Sequence, residues 1–468
     1  MFFRSFFDEN LAQMSYLVGC QRTGEAIVMD PARDIAPYER VAKQEGLTII
    51  AAAETHIHAD YLSGAREIAE RFAAKLYLSD EGDKNWKYEY VAPYAHSLLK
   101  DRDTFNIGRI EFEVMHTPGH TPESISFILT DHGSGSTAPM GVFTGDFVFV
   151  GDVGRPDLLE KAVGIANTAK IGASQMYQSI QRFKELPDFL QVWPAHGAGS
   201  ACGKSLGAVP MSTIGYEKIN NWAFTTKDEQ EFIDTLLSGQ PEPPRYFAMM
   251  KKLNKEGPAL TDNRPIKQLE HASELTDYMQ DAVLLDTRHA QLFGTEHYAG
   301  SINIPFNSSF TNWAGWILDY DTDIVLLAPQ ADIENIRRSL SSIGLDQIIA
   351  FMEPQVALAD TSNLESYEEI SVAELRALLT DSSYQVIDVR NQSEWDGGRI
   401  KGTTHHMLGT LKDQLQALPK DKQYVVHCRS GARSAIAASI MQANGIKDVK
   451  NVKGGYLAWT KEKYPVIK

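Results

Sequence analysis

In the first half of the chain, short apolar runs are broken by turns, and polar side chains able to bind metal follow them. Gln13 to Asp30 carries two β-rich stretches broken at Thr23-Gly24, which predicts a β-hairpin. Leu47 to Ala53, apolar but for Thr48, predicts a buried strand that delivers His56 onto the loop beyond it. Ser63-Gly64 opens a helix through Arg66, Glu67, Ala69, Glu70 and Ala73. Ile110 to Met115 and Ile125 to Thr130 predict strands bracketing a Pro-Gly-His120 turn. Val142 to Phe149 predicts a strand carrying Asp146, and Gln191 to Ala195 a strand leading into His196. The pattern weakens from Ala208 to Leu260, where the proline-rich stretch Gly239 to Phe247 predicts a connector with a helix or two. Beyond it the chain repeats. Val283-Leu-Leu-Asp-Thr-Arg288 matches Gln385-Val-Ile-Asp-Val-Arg390, Gly300 to Pro305 matches Gly402 to Met407, and Ile324 to Ala328 matches Tyr424 to Cys428. The nearly constant offset (286 to 388, 300 to 402, 328 to 428) predicts two copies of one α/β domain, only the second with a thiol at the end of its central strand.

At 468 residues and 43% hydrophobic content, the chain is long enough for several cores, and about 150 residues per domain suggests three. A formal charge of -16 argues against nucleic acid or an anionic membrane surface as the main partner. Three cysteines (Cys20, Cys202, Cys428) make no disulfide framework, so free thiols in a reducing cytosol are expected. The apolar start, Met-Phe-Phe-Arg-Ser-Phe-Phe, is too short for a secretory signal, and no stretch approaches a membrane span. The expectation is a soluble cytoplasmic homo-oligomer.

The candidate chemistry lies at predicted strand ends: Thr-His56-Ile-His58-Ala-Asp60-Tyr61, Pro-Gly-His120, Thr-Gly-Asp146 and Pro-Ala-His196. Imidazole and carboxylate together suit zinc, iron or manganese, and the absence of ligand-spaced cysteines points to a catalytic rather than a closed structural site. His116 reads as an ordinary strand-end residue and Cys20 as core. The glycine-rich stretch from Gly197 to Ser205 is not a phosphate loop, since five residues rather than four separate Gly197 from Gly203. In the second repeat, Cys428-Arg429-Ser430-Gly431-Ala432-Arg433 leads into a helix from Ala435 to Ala443. Such a loop turns backbone N–H groups inward, favouring an anion and lowering the thiol pKa. Four residues between Cys428 and Arg433, against the five of a phosphatase loop, suit a single sulfur atom.

On these motifs residues 1–240 resemble the metallo-β-lactamase superfamily and, within it, the persulfide dioxygenases. Residues 241–264 read as a linker, 265–358 resemble a degenerate rhodanese domain lacking its cysteine, and 366–468 an active rhodanese domain. The fold class implied is a multidomain α/β protein, an αββα sandwich followed by two rhodanese-like α/β domains. The resemblance implies one Fe(II), preferred to zinc, held by His56, His120 and Asp146, with His58, Asp60, Tyr61 and His196 around it and Arg155 on the substrate path. Tyr61 departs from the binuclear hydrolases, which often carry a histidine there. A phenol is a poor ligand, so one metal and oxidation are favoured over hydrolysis. The implied activity is oxidation of a low-molecular-weight persulfide with O2 to sulfite. Sulfur transfer through Cys428 and Arg433 would then form thiosulfate, with Arg429, Ser430, Gly431 and Ala432 binding the substrate. Cys202 either takes up persulfide or is a passive thiol. Ala328 excludes sulfur transfer by the first copy, leaving it as spacer, docking surface or interface, with Phe310, Trp313 and Trp316 marking either a surface or a core. Two competing functions are a zinc thioester hydrolase of glyoxalase II type with an accessory sulfurtransferase, and a noncatalytic sulfur-carrier or redox-sensing scaffold.

Overall fold

Period-two alternation builds the first unit, which spans Met1–Asp262 with Ser341–Gly344 in a computed structural model that describes all residues except 159, 161–167, 201, 204, 205 and 263. One six-stranded sheet runs in order through β1 (Phe2–Asp8), β2 (Gln13–Cys20), β3 (Glu25–Met29), β4 (Thr48–Ala53), β5 (Lys75–Ser79) and β6 (His96–Leu99). The other runs β12 (Ser212–Thr213), β11 (Gln191–Pro194), β10 (Gly141–Gly145), β9 (Ile125–Asp131), β8 (Ile110–His116) and β7 (Thr104–Ile107). Alternate residues of a strand face opposite ways, so Ile27, Met29, Ala51 and Ala53 meet Phe112, Phe127, Phe143 and Trp193 between the sheets. Their neighbours Ala26, Val28, Ile49 and Ala52 pack outward against Tyr38 and Ile68. Val142 and Val192 on the other sheet pack against Met176, Ile180 and Phe183 of the helix Thr168–Phe183. The result is helix, sheet, sheet, helix, the expected sandwich.

Two expectations need correction. The strand carrying Asp146 stops at Gly145 rather than running to Phe149. Gly145 turns the chain with φ +52°, and a Cβ there would stand 2.3 Å from Thr55 Oγ1, so only glycine allows this close approach to the metal loop. The segment 241–264, read as a linker, packs with the first unit up to Asp262. Its helix Tyr246–Glu256 buries Tyr246, Phe247 and Met250, and its Asn254 amide donates to the carbonyls of His58 and Tyr61 at 2.8 Å each. A helix was expected in this connector; what the sequence did not disclose is that its apolar face packs onto the first unit.

The second unit, Asn263–Leu340 with Leu345–Lys468, holds two five-stranded parallel sheets. The first contains β13 (Lys267–Gln268), β14 (Ala282–Asp286), β16 (Ile302–Asn303), β17 (Asp323–Leu327) and β18 (Ile348–Met352), in the order β13-β18-β17-β14-β16. The strand His297–Tyr298, β15, pairs elsewhere, with β19 (Leu364–Glu365). In the second sheet β20 (Glu368–Ile370), β21 (Tyr384–Asp388), β22 (Thr403–His405), β23 (Gln423–His427) and β24 (Val449–Val452) take the order β20-β24-β23-β21-β22. The same strand sequence recurs in both, as does a buried ion pair after the second strand, Arg288 on Asp286 and Arg390 on Asp388, each at 2.6 Å.

The helix Ala432–Ala443 is buried from Ser434 to Gln442, with the two sheets' elements on its sides; Asn303 N–H donates to Ser439 Oγ at 3.0 Å. Trp316 lies so close to Gly409 that a Cβ there would stand 2.2 Å from its ring. Phe310 and Trp316 are therefore core rather than exposed surface. Among the described residues, no helix is long and apolar enough to cross a membrane.

Candidate functional site

The loop after β4 carries His56, the turn after β8 carries His120, and the sharp end of β10 carries Asp146. Three segments remote in sequence thereby bring one donor atom each to a single buried point. His120 Nε2 is 3.5 Å and His56 Nε2 3.9 Å from Asp146 Oδ2. Ligands about 2.1 Å from one ion stand roughly 3–3.5 Å apart, so a modest contraction around a cation fits this spacing. Among the described residues, His56 Nε2 and both oxygens of Asp146 are buried without a hydrogen-bond partner. Leaving them so is costly unless a cation meets them.

The far sides of the rings are engaged. His120 Nδ1–H donates to the Arg155 carbonyl at 2.9 Å, His196 Nδ1–H to the Ala12 carbonyl at 3.1 Å, and His56 Nδ1 pairs with Thr55 Oγ1 at 3.0 Å. This leaves the Nε2 atoms facing inward, the arrangement that orients metal-binding imidazoles. Burial holds His56 well below the usual histidine range, with the neighbouring imidazoles adding to the effect, and burial also lowers His120, so both are neutral and able to ligate.

His58 behaves oppositely. Burial works against its charge, but the Asp30 carboxylate at 3.1 Å outweighs burial and lifts it to about 9. The Asp30 carboxylate favours the protonated ring, and with Nε2 turned to Asp30 this nitrogen is not offered to the donor group. Asp30 was not legible as a site residue. It ends β3 with φ +48° and also accepts from Thr55 N–H at 2.7 Å, so a single carboxylate ties the metal loop to the sheet. Asp30→Ala leaves that buried cation alone and costs about 3–5 kcal/mol, read as a drop in Tm.

Tyr61 turns its hydroxyl to the Asp30 carbonyl at 3.2 Å. The other predicted neighbours form a second donor group. Asp60, His196 and Cys202 converge, with His196 Nε2 3.0 Å from Asp60 Oδ2 and 3.3 Å from Asp146 Oδ1. The donor given up at Tyr61 is thus matched by the Cys202 thiol, which sequence spacing did not associate with Asp60. Burial, reinforced by Asp146 and Asp60, pushes this thiol far above its ordinary range, so it is protonated and a weak nucleophile. The structure places Arg155, expected on the substrate path, next to His120. It is fully buried, with its Nε and Nη2 paired to Asp157 at 2.7 and 2.6 Å, and it serves the site through the carbonyl that orients His120.

Glu123 is a further buried group that sequence reasoning missed. Burial raises it to about 7, against its hydrogen bond from Ile57 N–H at 2.9 Å. The native state therefore keeps a proton that the unfolded chain loses near 4.5, so stability falls as pH rises from about 4.5 through about 7. Glu123→Gln removes that loss. Between pH 5 and pH 8 the variant gains about 2–3 kcal/mol relative to wild type, measured as a widening difference in Tm.

In the second unit, Cys428 follows β23 and is buried. Its Sγ receives the Gly431 N–H at 3.1 Å and faces the Ser434 hydroxyl at 3.5 Å. Gly431, at φ +101°, supplies the left-handed turn that aims this N–H inward. Arg429, Ser430 and Ala432 are exposed on the loop. Arg433 is committed to Glu394 in a two-point ion pair at 2.6 and 2.8 Å, so it braces the loop. Glu394 also sits three residues after Asn391 in a capping box, and that local role is all its sequence context discloses. Ala328 follows β17, where Cys428 follows β23, and offers no thiol.

Comparison with known proteins agrees with this geometry. The metallo-beta-lactamase superfamily profile matches residues 9–196. A solved structure, a metallo-beta-lactamase from Staphylococcus aureus subsp. aureus COL, is 46% identical with a TM-score of 0.69, covering 76% of this chain and 99% of that one. This chain belongs to the metallo-beta-lactamase superfamily. Joined to its superfamily domain is a rhodanese-like domain, whose profile matches residues 371–462. The mitochondrial persulfide dioxygenase of Homo sapiens is 28% identical over 195 residues, 41% of this chain and 67% of its own length. A probable metallo-hydrolase of Burkholderia pseudomallei is 28% identical over 220 residues, covering 41% and 70%. Oxidising and hydrolysing relatives therefore match at the same level.

Proposed function

We propose that this superfamily member oxidises a low-molecular-weight persulfide with O2 to sulfite and, through Cys428, passes sulfane sulfur to sulfite to make thiosulfate. The observation that carries the first half is the convergence of His56 Nε2, His120 Nε2 and Asp146 Oδ2 as two neutral imidazoles and one carboxylate. His56, His120 and Asp146 would hold one Fe(II), which when bound would supply the dioxygen chemistry. The chain's own contribution is orientation. Arg155, Ala12 and Thr55 fix the rings, while Asp30 and Asn254 hold the loop that carries His56. Overall, a persulfide RSSH, O2 and water give RSH, sulfite and two protons.

The second half is a displacement at sulfur. Thiolate of Cys428 attacks the outer sulfur of a persulfide, the S–S bond breaks, RSH leaves, and Cys428 carries the transferred sulfur as an anion facing the Gly431 N–H and Ser434 hydroxyl. Sulfite then attacks that sulfur, forming thiosulfate and returning the thiolate. Residues 265–358 are in this reading a degenerate rhodanese copy whose role is to pack the helix behind the Cys428 loop. Three free cysteines suit a cytoplasmic setting.

The second donor group, Asp60, His196 and Cys202, favours one competing reading, a two-metal thioester hydrolase of glyoxalase II type. Oxygen consumption separates them. Uptake of one O2 per sulfite with glutathione, coenzyme A or another persulfide supports the proposal; thioester cleavage without oxygen uptake supports the hydrolase.

A further inference from the structure

The site wall containing His120 opens into a cavity of about 610 Å³ in the first unit. That is far more room than a persulfide sulfur needs, and it lies within the usual range for sites that enclose a whole small molecule. Its sides are uneven in chemistry. Trp86, Pro122 and Ile171 offer apolar surface, whereas one wall is the helix Tyr246–Glu256 presenting Lys251, Lys252 and Lys255. At 100° per residue these three fall within an arc of about 100° on one helix face. The helix is tied to the metal loop by Asn254, so its lysines keep a set position relative to His120.

Each lysine has a distinct setting. Lys251 Nζ lies over the Trp86 ring, 3.6 Å from its centroid, and burial holds it below the ordinary lysine range although the Glu123 carboxylate opposes that. Lys255 Nζ is 2.8 Å from Glu89, and Lys252 is exposed. The lining also includes Asp83 and Glu256, so with Glu89 the three lysines are met by three carboxylates, and what concentrates positive charge is the lysines' common helix face in a chain whose formal charge is -16. No arginine lines it among the described residues. Arginine's planar fork is the better match to carboxylate, while lysine serves phosphate as a compact point charge.

Building on the persulfide reading above, we propose that this cavity seats a thiol carrier whose end remote from sulfur bears phosphate groups, taken up by Lys252 and Lys255 with Lys251 flanking them. The sulfur end reaches the wall at His120, the apolar middle lies along Trp86 and Ile171, and the phosphates meet the lysine face.

The test uses the iron-loaded full chain with two probes sharing one sulfur-bearing arm, coenzyme A persulfide and pantetheine persulfide, the second lacking the nucleotide and its phosphates. The wild-type enzyme is expected to favour coenzyme A persulfide in kcat/KM by at least about tenfold, chiefly through KM. In the Lys252→Gln/Lys255→Gln double variant that preference falls to near unity. Calorimetry with unmodified coenzyme A gives an independent readout, since its binding is expected to weaken with added salt and in the variant. A wild-type ratio near one, an unchanged ratio in the variant, or a preference for glutathione persulfide, whose charges are carboxylates, overturns the inference. Absence of oxygen uptake with either persulfide, alongside lysine-dependent coenzyme A binding, rejects the dioxygenase reading while leaving the anion site standing.

Discussion

Asp146→Ala stops oxygen uptake and sulfite formation while leaving sulfur transfer by Cys428 intact. Asp146 is the only carboxylate of the first donor group, and its two oxygens face different partners, Oδ2 toward His56 and His120, Oδ1 toward His196. Alanine leaves two neutral imidazoles with no negative charge to balance a divalent ion. Losing a group that merely supports a ligand costs about 10–100-fold in metal affinity or activity, and losing a ligand costs more. Bound iron should fall well below one per chain, and sulfite production by more than about a hundredfold. An oxygen electrode, a sulfite assay and a sulfurtransferase assay on one preparation read all three. Undiminished sulfite would reject the ligand assignment.

Cys428→Ser has the mirror effect: sulfite accumulates and thiosulfate does not form. A serine oxygen is sterically close to sulfur, and the Gly431 N–H and Ser434 hydroxyl remain available to it, so the loop keeps its shape. What disappears is a nucleophile able to form and release an S–S bond, a loss on the order of a thousandfold or more in sulfur transfer. The first copy cannot compensate, having alanine at 328. Thiosulfate formation at the wild-type rate in this variant would place the transfer step elsewhere, and Cys202 would be the residue to test next.

Local signals explain what could be read in advance. The hairpin with its turn at Thr23-Gly24, the apolar run leading to His56 and the two strands bracketing His120 carry clear local signals, and ligands at strand ends follow from them. The repeat is legible because Asp286 with Asp388 and Gly300 with Gly402 keep one spacing. Groups that act across long sequence separations leave no such trace. Asp30 reaches His58, Asn254 reaches the carbonyls of residues 58 and 61, and Glu394 reaches Arg433, each through tertiary packing alone. The same reason hid the packing of the helix Tyr246–Glu256 against the metal loop and the approach of Cys202 to Asp60 and His196. The pairing of Arg155 with Asp157, two residues on, is likewise not disclosed by its motif position.

The number and kind of metal ions bear on everything else, because the donor atoms form two adjoining groups of three. The most direct measurement is anaerobic reconstitution with Fe(II), followed by metal analysis and oxygen uptake on a defined persulfide with sulfite counted in parallel. One iron per chain and one O2 consumed per sulfite formed is the predicted result. Two zinc ions per chain, with thioester cleavage and no oxygen uptake, would contradict it.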